Sequence, residues 1–122
     1  MTVNAAQGER LARVRPANTS DTLAFTASMP TEVTRLLIAN NTAGAIAFRF
    51  YHVTGGGAFA IDNAIWYDKS IAANDTFDFA AFNDNAGLQL AVGDTIGVRT
   101  ATANALVFHI YGVTASIAPQ GR

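Results

Sequence analysis

The chain has 122 residues, of which 50% are hydrophobic and only 14% are charged, and its formal net charge is -1. This near-neutral balance argues against direct nucleic-acid binding, and the absence of cysteine excludes disulfides and thiolate metal sites. The charged share lies well below the usual value of about 25%. A poorly charged surface favours burial against partner subunits, so we expect an assembly and not a free monomer.

A small basic segment opens the chain. It contains one acidic and three basic side chains, Glu9, Arg10, Arg13 and Arg15. The rest of the chain carries five basic and eight acidic residues, so positive charge is concentrated near the N-terminus. Two roles remain open for it: charges on an edge strand that block unwanted pairing, or an arm that docks on an acidic partner surface.

The first extended segment is short. Residues 11–15 alternate as in a strand and stop at Pro16, which indicates an edge strand at most. Polar turn residues follow before the next strand. We therefore predict an N-terminal arm over residues 1–16 and a β-sandwich domain over residues 17–122.

The middle of the chain is a series of strands separated by turn residues. The predicted strands cover residues 22–26, 33–42, 45–53, 65–71 and 74–82. In the second of these, Val33, Arg35 and Leu37 are predicted on one face, with apolar residues also on the other face toward the strand's end. That pattern predicts a central strand. In the third, Ile46, Phe48 and Phe50 are predicted to face the core.

The same alternation continues to the C-terminus. Further strands are predicted over residues 88–92, 93–100 and 106–113. The side chains expected to point inward are Ile96, Val98, Leu106, Phe108 and Ile110. Eight or nine short strands at regular spacing, with no helical period, predict an all-β fold: a single-domain antiparallel β-sandwich, jelly-roll-like.

Residues suited to catalysis are sparse. His52 and His109 lie in predicted strands, without a second His or Cys at metal-ligand spacing. No serine lies in a GxSxG motif. A cupin-type metal enzyme would need more histidines than these two unless carboxylates replaced them. We predict no enzymatic activity, no catalytic residues and no cofactor.

Two binding alternatives use other residue types. Asp75, Asp78 and residues 83–85 (NDN) could supply oxygen ligands for calcium, although Asn and Asp are also what turns require, and turn chemistry is favoured. Exposed aromatic side chains could instead form a sugar-stacking platform. A carbohydrate-binding module would place Trp66, Tyr67 or Tyr111 in a line on the solvent face.

The order of strand and turn motifs resembles that of small β-sandwich virion proteins of tailed bacteriophages and prophages. The motifs run in the order Arg13-x-Arg15-Pro16, residues 23–26, Leu36-x-Ile38-Ala39-Asn40, residues 48–53, residues 71–74, residues 88–96 and residues 108–112. Together they cover about residues 13–113. The loops at residues 55–57 and 83–87 have no counterpart in that pattern.

The resemblance implies a structural role. It points to a capsid cement or decoration protein that binds across major capsid protein subunits as a homo-oligomer, with a trimer favoured. A neck, tail or baseplate protein is the alternative. Arg10, Arg13 and Arg15 would pair with acidic groups on the shell. The N-terminus lacks a signal peptide and no segment is apolar enough to span a membrane. We expect a protein of the capsid surface, assembled in the host cytoplasm, with no membrane or direct nucleic-acid partner.

Overall fold

A computed structural model describes residues 9–80 and 87–115. Within them the chain forms nine strands: β1 (Glu9–Val14), β2 (Thr22–Thr26), β3 (Thr31–Asn40), β4 (Ile46–Val53), β5 (Ala64–Ile71), β6 (Thr76–Phe79), β7 (Leu88–Leu90), β8 (Thr95–Thr100) and β9 (Leu106–Thr114). One 3-10 turn, Ile61–Asn63, precedes β5. Each predicted strand corresponds to one of these, with ends that agree or differ by a few residues. Residues 81–82 of the predicted strand 74–82 lie outside the described residues.

The strands form two antiparallel sheets that pack face to face. The first sheet has the order β1-β9-β3-β6, with β7 also paired to β3, and the second has the order β2-β8-β4-β5. The strand pairs are nested along the chain: β1·β9 encloses β2·β8, which encloses β3·β6, which encloses β4·β5. This nesting is the jelly-roll arrangement, with β7 as an additional short strand. The predicted all-β sandwich is confirmed.

The core lies between the two sheets and is built from alternate residues of the long strands. Its largest fully buried aliphatic and phenylalanine side chains are Val33, Leu36, Ile38, Phe48, Phe50, Val53, Ile96, Val98, Leu106, Phe108 and Ile110. The inward positions predicted for β4, β8 and β9 are all buried. Three aromatic rings of the core pack against Phe48: those of Trp66, Phe77 and Phe108.

The predicted faces of β3 are wrong at its N-terminal half. The register with β9 shifts between Val33 and Arg35, which marks a bulge, so Val33 is buried together with Leu36 and Ile38. An inserted residue reverses the alternation on one side of the bulge. The central position predicted for β3 is confirmed, because it pairs with β9 on one side and with β6 and β7 on the other.

The turn after β3 is organised by one buried amide. The side-chain nitrogen of Asn40 donates to the carbonyl oxygens of Gly44, Ile71 and Ala72 at 2.9–3.0 Å. Its side-chain oxygen accepts from the backbone N–H and the hydroxyl of Thr42. Asn40 therefore joins the β3–β4 turn to the β5–β6 turn at one end of the sandwich.

The predicted arm, residues 1–16, includes strand β1, which belongs to the first sheet. Glu9–Val14 is strand β1 and pairs with β9 along its length, with a bulge between Arg10 and Ala12. It is the edge strand of the first sheet, as the stop at Pro16 indicated. The remainder of the predicted arm, residues 1–8, lies outside the described residues, as do residues 83–85 of the calcium alternative.

Candidate functional site

The outer face of the first sheet carries two of the three predicted partner-binding arginines. Arg10 lies opposite Tyr111 and Arg13 lies opposite His109 in the β1–β9 ladder. Both arginines are exposed, whereas Tyr111 and His109 are half-buried, with their rings stacked 6.5 Å apart. We call these four residues the first-sheet arginine patch.

The patch draws its positive charge from the arginines and not from the histidine. Burial, followed by the charges of Arg10 and Arg13, holds the pKa of His109 below its ordinary value. Its Nδ1 atom is buried and has no hydrogen-bond partner among the described residues. Neither arginine has a carboxylate within 4.0 Å in the described part of the chain.

Arg15 is placed apart from this patch. Its Nε and Nη2 atoms donate to the carbonyl oxygen of Asn104 at 3.1 and 2.9 Å, and the N–H of Asn104 donates to the carbonyl of Pro16. Asn104 adopts a left-handed conformation in the turn before β9. The side chain of Arg15 therefore holds this turn against the residues after β1.

A neutralised ion pair borders the patch on the same sheet. Arg35 donates to both carboxylate oxygens of Asp78 at 3.0 and 2.8 Å. These hydrogen bonds lower the pKa of Asp78, which stays ionised. Arg35 also lies opposite Tyr111 in the β3–β9 ladder. Arg10, Tyr111 and Arg35 therefore lie side by side across the sheet. The charge of Arg35 is balanced by Asp78, whereas Arg10 has no acidic partner among the described residues.

A second polar arrangement lies on the outer face of the second sheet. The buried Tyr51 donates its hydroxyl to Asp21 Oδ1 at 3.0 Å, and the nearby Arg49 guanidinium offsets part of the rise in the Tyr51 pKa that burial causes. Arg49 in turn donates to both oxygens of Asp68, at 2.7 and 3.2 Å. Arg99 lies 3.9 Å from Asp21 at the far end. We call these five residues the second-sheet polar chain.

A β-bulge in β5 positions Asp68, at one end of the second-sheet polar chain. The register of β5 against β4 shifts between the pairs Phe48–Lys69 and Phe50–Trp66, so Tyr67 and Asp68 together oppose Arg49. Asp68 has a φ of 58°, a left-handed conformation that costs about 1–2 kcal/mol for a residue other than glycine. The bulge turns the Asp68 carboxylate toward Arg49 and sets the Tyr67 ring 3.8 Å from its guanidinium carbon.

Small side chains leave an open groove beside the two arginines. The groove has a volume of ≈ 260 Å³. It is lined by Thr19, Ala47, Phe48, Arg49, Asp68, Arg99, Thr100 and Ala101. Phe59 packs over Gly97 beside Tyr51 and covers the neighbouring part of the sheet. The groove thus exposes charged side chains, of which Arg49 is held by Asp68 on the neighbouring strand.

The second histidine belongs to a turn. His52 Nε2 lies 3.0 Å from Asp94 Oδ2, and Asp94 also accepts from the N–H groups of Ala91 and Gly55. The hydrogen bond from His52 is the main cause that lowers the pKa of Asp94. Across residues 9–80 and 87–115 no three His, Asp or Glu side chains gather as a metal site. The same residues include no helix of sufficient length and hydrophobicity to cross a membrane.

The predicted aromatic line is not formed. Trp66 is half-buried and packs edge-on against Phe79, with ring centroids 4.9 Å apart. Tyr67 is 43% exposed, but one face of its ring carries the Arg49 guanidinium. Tyr111 lies on the other sheet. The three candidate stacking residues therefore point to different surfaces.

Sequence reasoning missed the second-sheet polar chain, because its members are far apart along the chain. The one visible signal was Arg49 inside an otherwise hydrophobic and aromatic strand, FRFY. Nothing in the sequence indicated the bulge at Asp68 or the approach of Asp21 to Tyr51. Comparison with known proteins gives no relative: no protein-family model, curated protein or solved structure matches the chain significantly.

Proposed function

We propose that the protein is a structural subunit of a tailed-phage virion, a capsid cement or decoration protein that binds across major capsid protein subunits. The observation that carries the proposal is an edge strand, β1, of a jelly-roll sandwich, whose exposed Arg10 and Arg13 have no acidic partner among the described residues. Viral capsid domains are among the proteins built on this fold, which supports the role by analogy.

The electrostatics of the patch suit an acidic partner. Arginine forms two parallel hydrogen bonds with a carboxylate, so Arg10 and Arg13 can each hold an acidic side chain on a shell. The stacked rings of His109 and Tyr111 add an apolar surface between the charges. Arginine and tyrosine together are enriched at protein interfaces.

Backbone pairing adds a second mode of attachment. Strand β1 pairs with β9 on one side and is an edge of its sheet on the other. An open edge can accept a strand from another chain. The arginines limit indiscriminate pairing while leaving acidic partners favoured.

Self-association fits the remaining surface. Leu23, Ile61 and Val92 are 54–65% exposed in a chain with few charges. Exposed apolar side chains of this size favour contacts between subunits. A trimer over the joints between major capsid protein subunits is the arrangement we propose.

The test is decoration of empty shells of the phage's major capsid protein. The double variant Arg10→Glu, Arg13→Glu should lose co-sedimentation with the shells, because both charges are reversed. The matched control is Arg35→Gln with Asp78→Asn, which removes a neutral pair from the same face. Both proteins should unfold in urea like wild type. Unchanged decoration by the double variant would show that the patch does not attach the protein.

Position on the particle separates the head from other virion sites. Light scattering on the isolated protein gives its oligomeric state, and electron microscopy of particles carrying a labelled protein gives its location. Trimers distributed over the shell support the cement role. A ring at a single vertex would assign the protein to the neck, tail or baseplate instead.

A further inference from the structure

Two arginines face each other across the second sheet. Arg49 on β4 and Arg99 on β8 are directly opposed residues of an antiparallel pair. Directly opposed side chains have Cβ atoms about 5 Å apart, and like charges at that spacing are destabilising. Both side chains line the same open groove. Such a pair is favoured where a negative group lies between the two guanidiniums.

The two acids of the polar chain differ in their relation to the groove. Asp68 is on β5, beside Arg49, and lines the groove. Asp21 precedes β2, reaches across β8 to the hydroxyl of Tyr51 on β4, and is not among the residues that line the groove. The charged side chains that line the groove are therefore two arginines and one aspartate.

The arginines present unused hydrogen-bond donors to the groove. Both Asp68 oxygens accept from Arg49, and Asp21 Oδ1 accepts from Tyr51. Each arginine has five N–H groups. Among the described residues Arg99 makes only the 3.9 Å ion pair with Asp21, and its side chain is 38% exposed. A ligand that accepts hydrogen bonds is thus matched, and a cation is not.

We infer that this groove binds a carboxylate group between Arg49 and Arg99. The planar guanidinium matches a carboxylate through two parallel hydrogen bonds. A monoanionic group suits the site better than a phosphate dianion, because Asp68 lines the groove and would repel the second charge. Thr19 on the rim can donate a further hydrogen bond from its hydroxyl.

The site is independent of the patch proposed to bind a capsid. It lies on the other sheet, and the carboxylate can belong either to a free acid or to an Asp or Glu side chain of a protein. Failure of either proposal therefore leaves the other standing. Loss of carboxylate binding should leave shell decoration through Arg10 and Arg13 unchanged.

The experiment is a nitrogen-15 NMR titration of the full chain with glutarate, with tetraglutamate peptide and with inorganic phosphate, at low ionic strength. We expect saturable shifts of the Arg49 and Arg99 Nε–H signals with both carboxylate probes. Arg99→Gln should weaken binding by about tenfold or more, since it removes the charge and the paired donors. Arg35→Gln, which disrupts the comparable pair on the first sheet, should leave binding unchanged.

The backbone spectrum of each variant reports whether the fold is intact, so loss of binding is separable from unfolding. Equal affinity for glutarate and the peptide identifies a site for a free acid, and tighter peptide binding identifies a protein partner; both support a carboxylate site. The inference is overturned if phosphate alone binds, if Arg99→Gln binds glutarate like wild type, or if no shift saturates with a Kd below about 10 mM.

Discussion

Asp94 Oδ2 and His52 Nε2 lie 3.0 Å apart and connect the turn before β8 to the end of β4. The same carboxylate accepts from the backbone N–H groups of Ala91 and Gly55. Asp94 is only 5% exposed, so three donors satisfy a nearly buried charge. One side chain therefore holds a turn and a neighbouring loop together.

This relationship predicts acid-sensitive stability. Because the pKa of Asp94 is lowered in the folded protein, its contribution is fully present above the ordinary aspartate pKa of about 3.9 and is lost as the pH falls through the lower folded value. At neutral pH, Asp94→Asn should reduce the free energy of unfolding by about 1–3 kcal/mol. Urea denaturation at several pH values measures this. A difference from wild type that persists unchanged at the lowest pH would contradict it.

The hydrogen bonds of Asn40 predict that its replacement by aspartate destabilises the protein more than its truncation to alanine. Its amide nitrogen donates to three carbonyl oxygens, so Asn40→Asp would place a carboxylate oxygen against all three. Asn40→Ala removes the bonds and should cost about 2–4 kcal/mol, from several hydrogen bonds of about 1 kcal/mol each plus unsatisfied groups. The aspartate variant should be less stable than the alanine variant at neutral pH. Calorimetric melting of both decides the order.

The close packing around Gly112 predicts that a residue with a side chain does not fit at this position of the first sheet. It lies in β9 between Glu9 of β1 and Val33 of β3, and a Cβ there would lie against the backbone carbonyl of Glu32. Gly112→Ala should therefore cost about 1–3 kcal/mol, as overpacking does. Gly44→Ala is the control, since a Cβ at Gly44 meets no atom within 4 Å. Equal urea midpoints for the two variants would refute the expected clash.

Substitutions of the three predicted partner-binding arginines should differ in their effect on the free energy of unfolding. Arg15→Gln loses donors to the Asn104 carbonyl and should destabilise the protein by about 0.5–1 kcal/mol, at the low end because the contact is exposed. Arg10→Gln and Arg13→Gln should leave stability unchanged, because neither side chain has an internal acidic partner among the described residues. Parallel urea titrations test this, and a loss of stability for Arg10→Gln would contradict it.

The local pattern carried most of the fold prediction. Residues 22–26 were predicted as a strand and form β2 with the same ends, and the alternation of Ile46, Phe48 and Phe50 identified their buried face. The alternation failed at Val33, because a bulge depends on how β9 pairs with β3 and leaves no local signal. Strand position was easier to predict than strand register for this reason.

The candidate sites were predicted less well than the fold. The basic segment was visible, but only the structure distinguishes Arg10 and Arg13, exposed beside His109, from Arg15, which is bonded to Asn104. The groove was not predicted, because it requires β4 and β8 to be neighbours. Strands β5, β6 and β7 separate those two strands along the sequence, and the nested pairing is a property of the whole chain.

The sequence by itself determined the strands, the inward-facing side chains and the concentration of positive charge near the N-terminus, since these depend on residue type and a period of two. The tertiary structure decided which strands became neighbours, where bulges reversed a face and which charges met. Arg49 and Arg99 are 50 residues apart, and only the pairing of β4 with β8 makes them face one groove. Strand pairing over such distances is set by packing of the complete core, which no local segment encodes.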